Sequence, residues 1–232
     1  MRIGLIGDIH GNAVALEEVL SAARREKIDV LCVTGDFVGY YYEPKRVFEI
    51  LGDWQYWAIR GNHDDMLLAA ADNPDLREGI RKKYGAGLDR AIETLNRDCL
   101  AAIAALPSTR TVHLGGRSLL LGHGTPWDTN VYLYPDAPQE TWERAAESKP
   151  DVVLLGHTHH QFSRHVGETL VVNPGSVGQP RDRKPGAAWS ILDTETMELE
   201  HRREFYDISI VVAQAQLYNP ELPYLQTVLS RT

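Results

Sequence analysis

Apolar runs in this chain repeatedly stop at a glycine and are followed at once by a carboxylate, an amide or an imidazole. RIGLIGD opens the chain, a helical stripe at Val14, Leu16, Val19 and Leu20 follows over residues 12–26, and DVLCVTGD comes next, which predicts strand, helix, strand. The runs are continuous rather than alternating, as in strands of an α/β sandwich covered on both faces. A helix over 45–51 leads to a strand over 56–60 and the turn Gly61-Asn62-His63-Asp64. From 65 to about 106 the chain is alanine-rich, charged and helical, which predicts a lid-like helical insertion over the strand ends within one 232-residue domain. Strands are expected at 110–114 and 118–121, the second followed by Gly-His-Gly. A Tyr/Pro-rich loop over 125–138, a helix over 139–148 and the run 152–155 then lead into GHTHH. Further strands are expected at 162–166, 169–172, 187–193 and 198–204. The tail from Asp207 reads as a short helix followed by coil at Pro220 and Pro223, with little bearing on function.

Composition narrows the picture. With 43% hydrophobic and 24% charged residues the chain has the make-up of an ordinary globular protein. Gly7 and Asp8 interrupt the first apolar run, which leaves neither a signal-peptide core nor a membrane span, and a cytoplasmic location is expected. Cys32 and Cys99 sit in apolar runs without zinc or disulfide spacing and are expected to be buried packing residues. A net charge of −8 speaks against a broad nucleic-acid-binding face. It leaves a phosphorylated small molecule open, because a metal centre supplies strong local positive potential inside an acidic protein.

The candidate chemistry lies in the loops after the strands: Asp8 and His10, Asp36, Asn62 and His63, His123, and His157 and His159. His157 and His159 are two apart, so on extended backbone they face one way. Taken singly, each residue has an ordinary structural role open to it, such as helix cap, turn residue or solvated loop histidine. Ligand sites of α/β sheets form at the carboxyl ends of strands, where these five loops can converge. Carboxylate, imidazole and amide oxygen together suit manganese, iron, zinc or nickel. Seven donors exceed the needs of one such ion but suit two sharing a carboxylate. Ions paired at about 3.5 to 4 Å can activate a hydroxide and hold phosphoryl oxygens during in-line displacement.

In this respect the sequence resembles the calcineurin-like metallophosphoesterase superfamily. Its pattern D-x-H, G-D, G-N-H-[DE], H, G-H-x-H appears in order as Asp8-Ile9-His10, Gly35-Asp36, Gly61-Asn62-His63-Asp64, His123 and Gly156-His157-Thr158-His159. The resemblance implies a four-layer sandwich of two mixed sheets flanked by helices. It implies Asp8, His10 and His159 on one ion, Asn62, His123 and His157 on the other, and Asp36 between them. His63 would protonate the leaving-group oxygen or stabilise charge in the transition state; the rival role is to orient Asn62. GDFVGYYYEP and NPGSVGQPRDR look like the bacterial branch related to diadenosine tetraphosphatases and serine/threonine phosphatases. Those enzymes carry G-D-x-V-D-R-G, whereas this chain has Gly35-Asp36-Phe37-Val38-Gly39-Tyr40 and so lacks the aspartate and the arginine.

Phosphate is therefore expected to be held by Arg181, Arg183 or Lys184, whose guanidinium or ammonium groups follow the Asn173-Pro174-Gly175 turn; a solvated basic loop is the alternative. The turn itself is expected to support GHTHH. Tyr40, Tyr41, Tyr42, Trp127, Tyr132 and Tyr134 offer either a stacking surface for a base or wall packing. The function expected is two-metal hydrolysis of a small or nucleotide-like phosphoester, monoester or diester. A nuclease of the same superfamily and a non-catalytic metal-binding module are the alternatives. Oligomeric state is not encoded in any of these features.

Overall fold

A computed structural model describes all 232 residues. Two five-stranded mixed sheets lie face to face. The first runs β10 (Leu199–Glu204), β9 (Ala187–Asp193), β1 (Arg2–Ile6), β2 (Val30–Val33), β3 (Tyr56–Ala58). The second runs β4 (Thr109–Leu114), β5 (Arg117–Gly122), β6 (Val152–Leu154), β8 (Thr169–Pro174), β7 (Gln161–Val166). In the first sheet β1, β2 and β3 are parallel, and in the second β5, β6 and β8 are.

The continuous apolar runs follow from the layering. Ile3, Leu5, Val30 and Cys32 face between the sheets, where they meet Leu119, Leu121, Val152, Leu154 and Val172. Their alternates Ile6, Leu31 and Val33 face outward under helix α1 (Ala13–Arg25), in one cluster with Leu16, Val19 and Leu20. On the far side Val153, Leu155 and Val171 pack with Trp142 of helix α7 (Gln139–Ala145). With a period of two, a strand buried on both faces has no polar position to offer. The result is helix, sheet, sheet, helix, the sandwich expected from the sequence.

Helix α2 (Pro44–Leu51) precedes β3, and four helices follow it: α3 (Asn62–Ala70), α4 (Pro74–Tyr84), α5 (Gly87–Thr94) and α6 (Arg97–Ala105). The helical stretch begins at Asn62, so Asn62 and His63 occupy the first turn of α3. Leu67, Ala70, Ile80, Leu88, Ala91 and Ile103 join the cluster under α1, which ties these helices into the main core. Cys32 is buried, whereas Cys99 on α6 is only half-buried.

The tail departs from expectation. It forms α8 (Ile208–Tyr218) and then a second helix, α9 (Pro223–Thr227), where coil was expected. Pro223 stands at the first turn of α9, where its missing N–H costs nothing and its fixed φ favours the helix. Val211, Leu225 and Leu229 of the tail pack on Tyr40, Tyr41 and Tyr42, so the tail backs the loop after β2. No helix is long and apolar enough to cross a membrane.

Leu154 is fully buried between the sheets. Leu154→Ala is expected to lower unfolding free energy by about 2–5 kcal/mol in urea titrations, the range for a cavity-forming core truncation.

Candidate metal centre

The parallel strands deliver the candidate residues on loops at their carboxyl ends, and the backbone there is strained. Asp8, His10, Asp36, His157 and His159 all have left-handed φ, at 50°, 51°, 55°, 67° and 58°. Non-glycine residues rarely adopt this region, and such strain persists only where surrounding contacts enforce it. Those contacts are visible. The buried Asp64 carboxylate accepts hydrogen bonds from the N–H groups of Asp36 at 2.8 Å, Phe37 at 3.0 Å and Gly61 at 3.0 Å, which fastens the loop after β2 to the start of α3. Gly61 allows the approach, since a Cβ there would stand 2.2 Å from Asp36 Oδ1. Asp8 accepts from His157 N at 3.0 Å, linking loops from the two sheets.

The Asn173-Pro174-Gly175 turn supports GHTHH, as expected. Asn173 Nδ2 donates to Gly156 O at 2.7 Å and Thr158 Oγ1 at 3.0 Å. Ser176 Oγ donates to Asp8 O at 2.7 Å, so the same segment also fixes the first loop.

Ring orientation reveals what the centre needs. His10 Nδ1 lies 3.0 Å from Val38 O, and His159 Nδ1 lies 2.6 Å from Gln179 O. A carbonyl only accepts, so both Nδ1 atoms carry the proton and both Nε2 atoms present lone pairs. Those two Nε2 atoms face each other at 3.0 Å, with Asp8 Oδ1 3.5 Å from that of His159 and 3.9 Å from that of His10. Burial pulls both imidazoles well below their ordinary pKa, which keeps them neutral. Two opposed lone pairs beside a carboxylate, fully buried, are unfavourable unless a cation sits among them.

The second half repeats the pattern. His123 Nδ1 lies 2.7 Å from Thr34 O, and its Nε2 points at Asn62 Oδ1 at 2.9 Å and Asp36 Oδ2 at 3.3 Å. Here a proton can stand in for the cation. Burial lowers the affinity of His123 for a proton, but the carboxylates of Asp36 and Asp8 outweigh it and push the pKa up to about 10. Asp36 Oδ2 is also 3.6 Å from His10 Nε2, so this one oxygen stands between the two halves. Burial pushes Asp8 up to about 7, reinforced by the neighbouring Asp36. Burial opposes ionisation of Asp36 too, yet the imidazoles around it hold its carboxyl well below the usual range. His157 Nε2 and His63 Nδ1 are buried without any hydrogen-bond partner, and burial lowers each ring to about 4. The donor set, with its opposed and orphaned nitrogens, fits divalent transition ions.

The loop that lacks the aspartate and the arginine explains the orphaned nitrogen. A Cβ on Gly39, at φ 141°, would stand 2.6 Å from His10 Nδ1 and 2.9 Å from His63 Nδ1. No carboxylate fits there, and His63 Nδ1 stays unpaired. Tyr40, the next residue, sets its ring against His10 and His63 at centroid distances of 4.7 and 4.8 Å. Arg181 reaches in from the loop after β8. Its guanidinium donates to Tyr40 Oη at 2.8 Å and Gln179 Oε1 at 2.7 Å. Arg183 sits on the exposed part of the same loop with no hydrogen bond or ion pair, apart from this cluster.

The aromatic residues divide between the two expected roles. Tyr41 and Tyr42 are buried against the tail, and Trp127 lies under Arg144. Tyr132 stacks on His157 at 3.9 Å, with Tyr134 stacked on Tyr132. Four contributors escaped the sequence reading. Asp64 was visible only as the last letter of a motif, Tyr84 against His63 at 4.9 Å lies in an unremarkable helix, and Leu222 and Tyr224 lie in the tail. Only tertiary packing brings the last three to the site.

Comparisons with known proteins agree with this fold. A family model described as the calcineurin-like phosphoesterase superfamily domain matches residues 1–197. An uncharacterized protein of Methanocaldococcus jannaschii is 28% identical over 226 residues, covering 89% of this chain and 88% of its own length. The phosphodiesterase YfcE of Escherichia coli is 24% identical over 209 residues, covering 86% of this chain and 91% of its own. The crystal structure of a metallophosphoesterase from Sphaerobacter thermophilus superimposes with a TM-score of 0.81 at 26% identity, over 100% of this chain and 99% of that one.

Ligation requires Asp8 and His123 to be free of the protons that they hold in the metal-free protein. Asp8 rises to about 7 and His123 to about 10, so at pH 6 both are protonated. Manganese titrated into metal-free protein at pH 6 is therefore expected to release protons. Calorimetry in two buffers of different ionisation enthalpy reads this as a difference in apparent binding heat, and equal heats would refute it.

Proposed function

Because the chain belongs to the calcineurin-like phosphoesterase superfamily, we propose that it is a hydrolase of small phosphodiesters that works with two divalent ions. The observation that carries this reading is the pair of opposed Nε2 lone pairs at 3.0 Å beside Asp8, repeated in the His123–Asn62 half across Asp36. Asp8, His10 and His159 form one ligand set, Asn62, His123 and His157 the other, and Asp36 is shared. The name of the Escherichia coli relative, a phosphodiesterase, favours diesters over monoesters. Bound ions of this kind supply a water-derived nucleophile and positive charge against the phosphoryl oxygens. Manganese, iron, zinc and nickel all suit the donor set.

The chain's own residues do the rest. Arg181 is fixed by Tyr40 and Gln179, and its Nη1 has no protein partner, which leaves a donor for a phosphoryl oxygen. It takes the place of the arginine missing from the loop after β2. His63 is held on the first turn of α3 with its backbone N–H donating to Asp36 Oδ1 at 2.8 Å. Burial keeps its ring neutral, so it first meets substrate as a hydrogen-bond donor. An anionic phosphoester raises its affinity for a proton, so the ring takes one up from solvent as substrate binds and passes it to the departing oxygen. Arg183, on exposed chain, is not needed at the reacting phosphorus in this reading. The buried donor set lies below the surface that a nucleic-acid strand would meet, and with the net charge of −8 this favours a small substrate.

Turnover of bis-p-nitrophenyl phosphate with added manganese tests the proposal. His63→Asn is expected to lower kcat by about 10²–10⁴ on an alkyl phosphodiester, whose departing oxygen needs a proton, and far less on bis-p-nitrophenyl phosphate, while metal content stays at the wild-type level. Loss of an ion from that variant would instead make His63 a ligand or a support of Asn62. Asp36→Asn is expected to lose both turnover and at least one ion, and near-normal turnover would defeat the assignment of Asp36.

A further inference from the structure

Beside the ligands lies a cavity of about 360 Å³ whose walls come from five separate parts of the chain. Tyr40 belongs to the loop after β2, Lys83 and Tyr84 to α4, Tyr132 to the loop before α7, and Arg181 to the loop after β8. Leu222, Tyr224 and Leu225 come from the tail. The cavity adjoins the centre, since Tyr40 and Tyr84 lie against His63 and Tyr132 is stacked on His157. Its volume is within the range of small-molecule sites.

Two features of the lining define what fits. Four tyrosine rings offer π faces and hydroxyl groups, which suits a flat polar aromatic ring better than a saturated chain. Among the lining residues are two cations and no carboxylate, in a chain with a net charge of −8. That local reversal of sign favours an anionic ligand. We infer that this cavity holds the base and sugar of a nucleotide ester, with the ring against Tyr224 and the phosphate directed by Arg181 towards the centre. The inference rests on the phosphoesterase reading above and adds the class of substrate to it.

It also locates the origin of substrate choice. The family match ends at residue 197, whereas Leu222 and Tyr224 lie beyond it. The wall that meets the base is thus supplied partly by a segment beyond the family match, and chains with the same ligand loops but a different tail would accept different esters.

Calorimetric titration of AMP and of ribose 5-phosphate into the manganese-loaded protein tests this, because the two differ only by the base. Stacking of one base on aromatic side chains is enough for AMP to bind about tenfold more tightly or better. Tyr224→Phe keeps the π face and should keep the preference, whereas Tyr224→Leu should reduce the ratio of affinities at least about threefold. Equal affinity of the wild type for the two ligands, with bis-p-nitrophenyl phosphate still hydrolysed, would overturn the base pocket and leave the hydrolase reading standing. A preference that survives unchanged in Tyr224→Leu would overturn the placement of the base in this cavity. Absence of both binding and turnover would instead bring down the hydrolase reading, and the pocket assignment with it.

Discussion

His10 and His159 present lone pairs to each other at 3.0 Å in a buried place, and the arrangement of the loops around them follows from holding them there. Left to itself, either ring would turn or move to find a donor. Each is prevented by a hydrogen bond from its other nitrogen to a backbone carbonyl, that of Val38 for one and Gln179 for the other. Those carbonyls are themselves placed by strained loops. The cost of the whole arrangement is recovered when cations occupy the space, because ligands held apart from water need no reorganisation on binding.

The two-sheet architecture makes this affordable in physical terms. Strands buried on both faces are rigid platforms, and their carboxyl ends carry the loops into one region from two directions. Cross-ties then join the loops to each other rather than to solvent: Asp64 links β2 to α3, Asp8 links the first sheet to GHTHH, and Ser176 closes the ring back to Asp8. Left-handed backbone at five of the ligand positions is tolerable only inside such a network. The proposed substrate contacts lie outside it, on the tyrosine side chains, Arg181 and the tail, where change leaves the ligand network intact.

Much of this was legible in the sequence because it is local. Strands such as RIGLI and VLCV announce burial on both faces by their unbroken apolar character, and the glycines and polar residues that end them mark the ligand loops. The role of Asn173-Pro174-Gly175 as a support could be read from turn chemistry alone. What escaped is non-local. Pro220 and Pro223 signal interruption, yet Pro223 starts a helix, and nothing in the tail's own pattern says that Tyr224 reaches the same cavity as Tyr40. Arg181 and Arg183 are equivalent as letters. They differ because Tyr40 and Gln179 capture the first while the second points to exposed chain, a distinction made only by packing.

The central claim is that the opposed nitrogens are held for cations, and anomalous X-ray diffraction from manganese-loaded crystals addresses it most directly. Two anomalous peaks per chain are expected, one between His10 Nε2 and His159 Nε2 beside Asp8, the other at His123 Nε2 and Asn62 Oδ1, with Asp36 between them. A fully loaded crystal with no peak between His10 and His159, or with either ring turned so that Nδ1 faces inward, would contradict that claim.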